Sequence, residues 1–308
     1  MTVLITGASG FVGTIVAKEA SRRGYAVHGC GRSSSPPASF ADLWHSVAWE
    51  QSSVPLLKII ECVKPEIIVH AAGSASVAGS LKAPLQDLQA SLGSWSLLLE
   101  AVRLSGQKPT LVFPSSAAVY GNPTTLPVTE TAECKPVSPY GWHKLLCEGL
   151  AHAHANAFDA SIVIARLFSV FGRHQRRLLM FELFDRLRSD DGPLKIMGTG
   201  SETRDFLGEE TVAAALLDLA LAKANLPVSG EALIVNVASG NEVSTLQMAQ
   251  ALTQQCAAGR EIVCCGQPRP GDPLRWCADV TRLKILLPSL RMPSLHESLQ
   301  QAIQGWQS

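Results

Sequence analysis

Neither sign of charge is in surplus in this sequence: 26 Lys+Arg face 26 Asp+Glu over 308 residues, and charged residues make up only 17% of the chain. Neutralising the phosphates of a nucleic acid takes many uncompensated Lys and Arg, so a broad basic face for such a partner is excluded. At 46% hydrophobic residues the chain is too apolar to be disordered. No apolar run reaches the roughly 18 residues needed to span a bilayer, so no membrane partner is expected. The start, Met1-Thr-Val-Leu-Ile-Thr-Gly7, has neither a basic region nor a cleavage site and reads as folded structure. The eight cysteines (30, 62, 134, 147, 256, 264, 265 and 277) form no C-x-x-C pair and show no Cys/His spacing typical of zinc sites. They read as thiols of a reducing compartment, with a cytoplasmic location and no metal as the expectation.

What is present is an alternation. Val3–Thr6, Ala26–Cys30, Ile67–His70, Thr110–Pro114 and Ser161–Leu167 read as buried strands, with helices over Thr14–Arg23, Pro55–Val63, Pro84–Ser105 and Pro139–Phe158. Near-continuous apolar strands separated by helices predict an α/β fold, a doubly wound parallel sheet of the Rossmann type. Past residue 170 the rhythm breaks into a basic loop (172–177), a helix over Leu179–Leu187 and a Gly-rich turn region over 192–204. A helix over Glu209–Ala224 and a strand over Ala232–Val237 then return to the main sheet. A helix over Thr245–Ala258, a strand over Glu261–Cys265 and a Pro/Gly-rich loop over Gln267–Pro273 follow. The expected organisation is a cofactor domain of residues 1–170 plus about 207–240, and a smaller discontinuous α/β substrate lobe of about 171–206 and 241–308.

The segment Thr6-Gly7-Ala-Ser9-Gly10-Phe11-Val12-Gly13 joins the first strand to the first helix. Glycines at this junction let backbone N–H groups approach a pyrophosphate, and the helix N-terminus favours its charge. The spacing is G-x-x-G-x-x-G. An NAD site usually has an acidic residue about 20 residues further on, for the ribose 2′-hydroxyl, whereas a nearby Arg suits the 2′-phosphate of NADP. Between Ala20 and Ala41 there is no acidic residue, and the second strand ends on Gly31-Arg32-Ser33-Ser34. NADP is therefore the expected cofactor, with NAD as second choice, through Arg32 and Ser33.

Tyr140 and Lys144, at i and i+4, share one helix face. A free tyrosine, with pKa about 10, is a poor acid–base group at neutral pH, and an adjacent ammonium favours the phenolate. Upstream, Ser115-Ser116-Ala117-Ala118-Val-Tyr120-Gly121 follows a strand and offers an exposed hydroxyl.

Together with His70-Ala71-Ala72-Gly73, Arg166-Leu-Phe-Ser169-Val-Phe-Gly172 and Thr203-Arg204-Asp205-Phe206, these motifs make the chain resemble the extended short-chain dehydrogenase/reductase superfamily, in its nucleotide-sugar epimerase/dehydratase/reductase branch. The resemblance covers nearly the whole chain. It implies Ser116, Tyr140 and Lys144 as catalytic residues. The cofactor would lie along Gly7, Ser9, Gly10, Phe11, Val12, Gly13, Ala71, Ala72 and Gly73, with Tyr140 and Lys144 at the nicotinamide end. A nucleotide-diphosphate sugar would be held by Ser76, Ser169, Arg204 and Arg269, with structural ion pairing as the competing account for the two arginines. The basic loop 172–177 is a candidate cover for the base or phosphates. His143, between Tyr140 and Lys144, is expected to face away from them in a packing role.

Departures from the branch rank the activities. Its 4,6-dehydratases carry an Asp-Glu pair where this chain has Ala117-Ala118, and methyl groups transfer no protons. Its epimerases usually keep NAD bound beside the missing acid. The sequence alone thus puts NADPH-dependent reduction of a 4-keto, 6-deoxy nucleotide sugar at C4 first. A 4-epimerase with retained NAD comes second, and a non-catalytic cofactor-sensing protein on the same fold is a minor alternative. Family members dimerise through two helices, so the stretches Trp95–Leu99 and Leu145–Leu150 are candidates for a homodimer face, in competition with an ordinary intrachain core.

Overall fold

The computed structural model describes residues 1–33, 43–47, 52–226, 230–267, 271 and 273–307. The chain begins β1 (Thr2–Thr6), α1 (Phe11–Arg22), β2 (Ala26–Gly31), β3 (Trp44–Ser46), α2 (Val54–Val63), β4 (Ile67–His70), α3 (Val77–Lys82), α4 (Pro84–Leu88) and α5 (Ser94–Ser105). It continues through β5 (Thr110–Ser116), α6 (Pro139–Phe158), β6 (Ile162–Leu167), β7 (Ser169–Phe171), α7 (Leu178–Ser189), β8 (Leu194–Ile196) and β9 (Thr203–Gly208). The last third holds α8 (Glu209–Ala224), β10 (Leu233–Val237), β11 (Glu242–Ser244), α9 (Thr245–Cys256), β12 (Ile262–Cys264), α10 (Thr281–Leu286) and α11 (Leu295–Gln307).

Seven strands, in the order β10-β6-β5-β4-β1-β2-β3, form one sheet whose described pairings are all parallel. The strand runs IIVH of β4 and IVIARL of β6 are buried at every position, because helices cover both faces. One apolar cluster joins Val3, Ile5, Val16, Val112 and Leu216 on one face, and another joins Leu4, Ile68, Trp95, Leu98 and Phe113 on the other. The doubly wound parallel sheet predicted from the sequence is present, and β10 returns to it beside β6 as expected.

Three features depart from the sequence reading. The single helix expected over Pro84–Ser105 is interrupted by a π-helical turn at Gln89–Gly93. Its Ser94 hydroxyl donates to the Ala90 carbonyl at 2.6 Å, competing with the helical ladder. The Gly-rich stretch 192–204 contains β8, which pairs in parallel with β12, and the start of β9. Strand β9 lies between antiparallel β11 and parallel β7. A third apolar cluster, with Phe171, Phe184, Phe206, Leu252 and Trp306, underlies this part of the chain.

Candidate active site

The order of the sheet reverses direction between β1 and β4, the place where doubly wound sheets open a crevice at their carboxyl ends. The turn after β1 and the segment after β4 meet there. Gly7 has φ +64°, and a Cβ on it would stand 2.5 Å from the Ala72 nitrogen and 2.6 Å from the Ala71 carbonyl oxygen. A Cβ on Gly13 would stand 2.3 Å from the Gly7 carbonyl oxygen, so α1 packs directly on the turn. Helix α1 starts at Phe11 with no acidic residue in its first turn and no side chain capping it from Gly10. Its leading N–H groups have no side-chain cap, and the N-terminal end of a helix with free backbone donors is a place where an anion such as a pyrophosphate can bind.

At the outer end, Arg32 and Ser33 are exposed, and Trp44 of β3 packs over Gly31. The indole Nε1 of Trp44 donates to the Ser33 carbonyl at 2.9 Å, and a Cβ on Gly31 would stand 2.8 Å from ring carbon Cη2. Trp44 was invisible to sequence periodicity because β3 is only three residues long. Ser34 lies outside the described residues.

Helix α6 begins after Ser138, whose hydroxyl caps the Gly141 N–H, with Pro139 at its first position. The Tyr140 N–H donates to Ser80 Oγ of α3 at 3.0 Å. Gly141 permits close approach: a Cβ there would stand 2.6 Å from the Ala118 carbonyl oxygen. That contact sets the start of α6 against the 3₁₀ turn Ala117–Tyr120 that Ser116 caps. One turn on, the buried Lys144 donates from Nζ to the Pro114 carbonyl at 2.9 Å. The ammonium lies 4.8 Å from the Phe113 ring centre and 5.9 Å from that of Tyr140. Ser116, at the end of β5, accepts from the Ala118 N–H at 3.1 Å and keeps its own hydroxyl proton for another acceptor. The structure thus brings Ser116, Tyr140 and Lys144 to the carboxyl edge of β5.

Beneath them His70 is fully enclosed. Burial, reinforced by the positive charge of Lys144, pushes its pKa down to about 3, so the ring is neutral. Ser94 Oγ gives its proton to Ala90, so it accepts from His70 Nε2 at 3.2 Å, and Nδ1 accepts from Thr6 Oγ1 at 2.8 Å. This assigns the Nε2–H tautomer. His143 packs against α4, with Nδ1 2.5 Å from Asp87 Oδ2.

Of the residues expected to hold a nucleotide sugar, Ser76 caps α3 by accepting from Gly79 N–H at 2.9 Å, and Ser169 opens β7 opposite Phe206 of β9. Arg204 is buried on β9, donates to the Thr203 carbonyl at 2.8 Å and stacks 5.5 Å above Trp276. Arg269 lies outside the described residues. Gly271 packs toward Val77 of α3 and Ser138, the residue that caps α6. Within the basic loop 172–177, several of the basic side chains have partners inside the protein. Arg173 pairs with Glu209 and Glu210, His174 Nδ1 lies 2.6 Å from Glu209 Oε1, and Arg176 donates to the Gly305 carbonyl. The acidic start of α8 thus engages Arg173 and His174.

Several organising residues escaped the sequence reading. Asp205 is fully buried and accepts from Ser239 N–H and Oγ, Gly240 N–H and Ala278 N–H. Glu148 and Arg166 form a buried ion pair at 2.7 Å. The position of Glu148, i+4 from Lys144, was the available signal.

A parallel seven-stranded sheet with a glycine-lined crevice at its switch point, followed by Tyr140 and Lys144 on one helix, defines a nucleotide-dependent enzyme of the short-chain dehydrogenase/reductase class, in its extended form. More narrowly, the chain belongs to the NAD dependent epimerase/dehydratase family, whose model matches residues 3–238. A UDP-glucose 4-epimerase from Mycolicibacterium smegmatis is 28% identical over 313 residues, covering 99% of this chain and 98% of the relative. The structure of UDP-glucose 4-epimerase with UDP-glucose from Thermotoga maritima superposes with a TM-score of 0.87 at 25% identity, over 100% of this chain and 99% of that one. A UDP-glucose 4-epimerase from Brucella ovis in complex with NAD gives 0.84 at 25% identity, over 99% and 98%. Among the described residues, no helix is long and apolar enough to cross a membrane.

Proposed function

We propose that this protein is a nucleotide-sugar 4-epimerase acting on a UDP-linked hexose, the activity that the sequence alone ranks second. The observation that carries it is the Tyr140–Lys144 pair set against the end of β5 beside Ser116, in a chain whose relatives over nearly full length are UDP-glucose 4-epimerases.

When bound, the nicotinamide of NAD(P) accepts and returns hydride at the sugar C4. Tyr140 Oη takes the proton of the C4 hydroxyl and gives it back after the sugar has presented its other face. Lys144 stands beside the ring, with its ammonium 5.9 Å from the ring centre. Ser116 donates to the C4 oxygen as its charge changes. Ala117 and Ala118 bring no second acid or base, which confines proton transfer to this one oxygen. Ser76, Ser169, Arg204 and Arg269 hold the diphosphate and sugar while the ring turns. Gly7, Ser9, Gly10, Phe11, Val12 and Gly13, together with Ala71, Ala72 and Gly73, would hold the cofactor. Residues 1–170 and about 207–240 form the cofactor domain. The lobe of 171–206 and 241–308, with its own apolar cluster, holds the substrate.

A second reading, an NADPH-dependent 4-ketoreductase, is favoured by one observation: Gly31 under Trp44 leaves no carboxylate for a ribose 2′-hydroxyl, while Arg32 and Ser33 suit a 2′-phosphate. One experiment separates the two. Freshly purified protein is denatured, its nucleotide identified, and native protein assayed with UDP-glucose without added cofactor. Retained NAD with conversion to UDP-galactose supports the epimerase. An empty site with NADPH oxidation by a 4-keto sugar nucleotide supports the reductase.

Trp95, Leu98 and Leu99 are buried in the chain's own core, whereas Trp142 and Leu146 of α6 are exposed. A homodimer face is therefore proposed on the outer side of α6. The eight unpaired cysteines support a cytoplasmic location.

A further inference from the structure

Two chemically identical side chains, Ser115 and Ser116, end β5, and only one of them can face the substrate. Successive side chains of an extended strand point to opposite sides. Ser115 is buried and donates from Oγ to Glu148 Oε1 at 2.5 Å. Glu148 lies on α6, one turn beyond Lys144, and is itself buried. Arg166, paired with Ser115 in the β5–β6 register, grips the same carboxylate from Nε at 3.1 Å and Nη2 at 2.7 Å. Its remaining arm, Nη1, donates to Tyr120 Oη at 2.9 Å and to the Glu130 carbonyl at 3.1 Å. Tyr120 Oη in turn donates to Asn236 Oδ1 at 2.6 Å. Tyr120 closes the 3₁₀ turn that Ser116 opens. Ser116 is therefore bracketed, by an anchor on the residue before it and another at the end of the turn after it.

We propose that Glu148 and Arg166 are positioning residues: by capturing Ser115 and Tyr120 they force Ser116 outward and fix its distance from Tyr140 and Lys144 on the same helix as Glu148. The ion pair gives the buried carboxylate a cationic partner at 2.7 Å. Burial opposes the charge of Arg166, but its hydrogen bonds and attraction to Glu148 outweigh that and hold its pKa above the ordinary value. Each buried donor and acceptor in the chain from Ser115 to Asn236 has a partner, so the network resists small displacements of the hydroxyl.

This inference rests on the reading of Ser116 as the hydroxyl that touches the sugar C4 oxygen. The test is a double-mutant cycle of Ser115→Ala and Ser116→Ala, assayed with UDP-glucose, with NAD and UDP affinities and Tm measured in parallel. Ser115→Ala is expected to lower kcat about tenfold, with KM and cofactor affinity within about twofold. In the Ser116→Ala background the same substitution is expected to change kcat by less than about twofold, because Ser115 acts through Ser116. Ser115→Thr, which keeps the hydroxyl, is expected to restore turnover. An equal loss in both backgrounds, or none in either, overturns the positioning role. Full turnover by Ser116→Ala overturns the reading of Ser116 itself. A crystal structure of Ser115→Ala with UDP gives an activity-independent outcome: a re-oriented Ser116 supports the inference, and an unchanged one overturns it.

Discussion

The Lys144 ammonium lies 5.9 Å from the centre of the Tyr140 ring while donating to the Pro114 carbonyl at 2.9 Å, so one buried cation is fixed between the strand end and the phenol. Its position is set by β5, not by the flexibility of a four-carbon side chain. Replacing Tyr140 by Phe keeps the ring and its packing and removes the proton carrier. Turnover of UDP-glucose is expected to fall by about 10² to 10⁴ with NAD affinity unchanged by calorimetry. Near-normal kcat would remove Tyr140 from the mechanism.

Cofactor choice is expected to turn on Gly31. An Asp placed there alone would collide with Trp44, whose ring carbon stands 2.8 Å from the new Cβ, and is expected to weaken binding of NAD and NADP alike. The double variant Gly31→Asp/Trp44→Ala makes room for a carboxylate that repels a 2′-phosphate. Its preference for NAD over NADP is expected to rise at least about tenfold, read from titrations of both dinucleotides. An unchanged ratio would show that recognition at this end lies elsewhere.

Stability is expected to fall as the solution is acidified. His70 protonates near 6.5 when unfolded, but in the fold burial and Lys144 hold it at about 3. Between those values the unfolded chain binds the extra proton, so falling pH costs about 1.4 kcal/mol per unit, or roughly 2 kcal/mol by pH 5. Burial depresses His28, His45 and His154 in the same direction. Asp205, raised by burial, works against the trend at lower pH because its folded form takes up a proton more readily. Tm measured from pH 7.5 to 5 is expected to decline, with a shallower slope in His70→Gln. Equal slopes would show that His70 does not carry the dependence.

Asp205 ties β9 to the segments at 239–240 and 278 through acceptor bonds only. Asp205→Asn sets an amide donor against N–H donors and is expected to cost about 2–4 kcal/mol in urea unfolding. Because Arg204 precedes it on the strand, UDP affinity is expected to weaken as well. A variant of wild-type stability would show that these donors are satisfied by water.

Features carried by near neighbours in the chain were legible in the sequence. The glycine spacing of the first turn, the burial of the strands, and the i, i+4 placement of Tyr140 and Lys144 all follow from local backbone geometry. Relations between distant segments were not. Nothing near residue 115 signals that Glu148 and Arg166 converge on it, nor does the empty acid position at Gly31 announce that Trp44 lies over it. The basic run at 172–177 suggests an anion site when taken alone. Its pairing with Glu209 and Glu210 was decided by where α8 begins. The sequence by itself determined the sheet, the glycine-rich turn at its switch point and the residues proposed to react, because each depends on residues within a few positions of one another. Only the tertiary structure decided which of two adjacent serines is tied to Glu148 and which cations already have acidic partners, because those outcomes depend on partners brought together by folding.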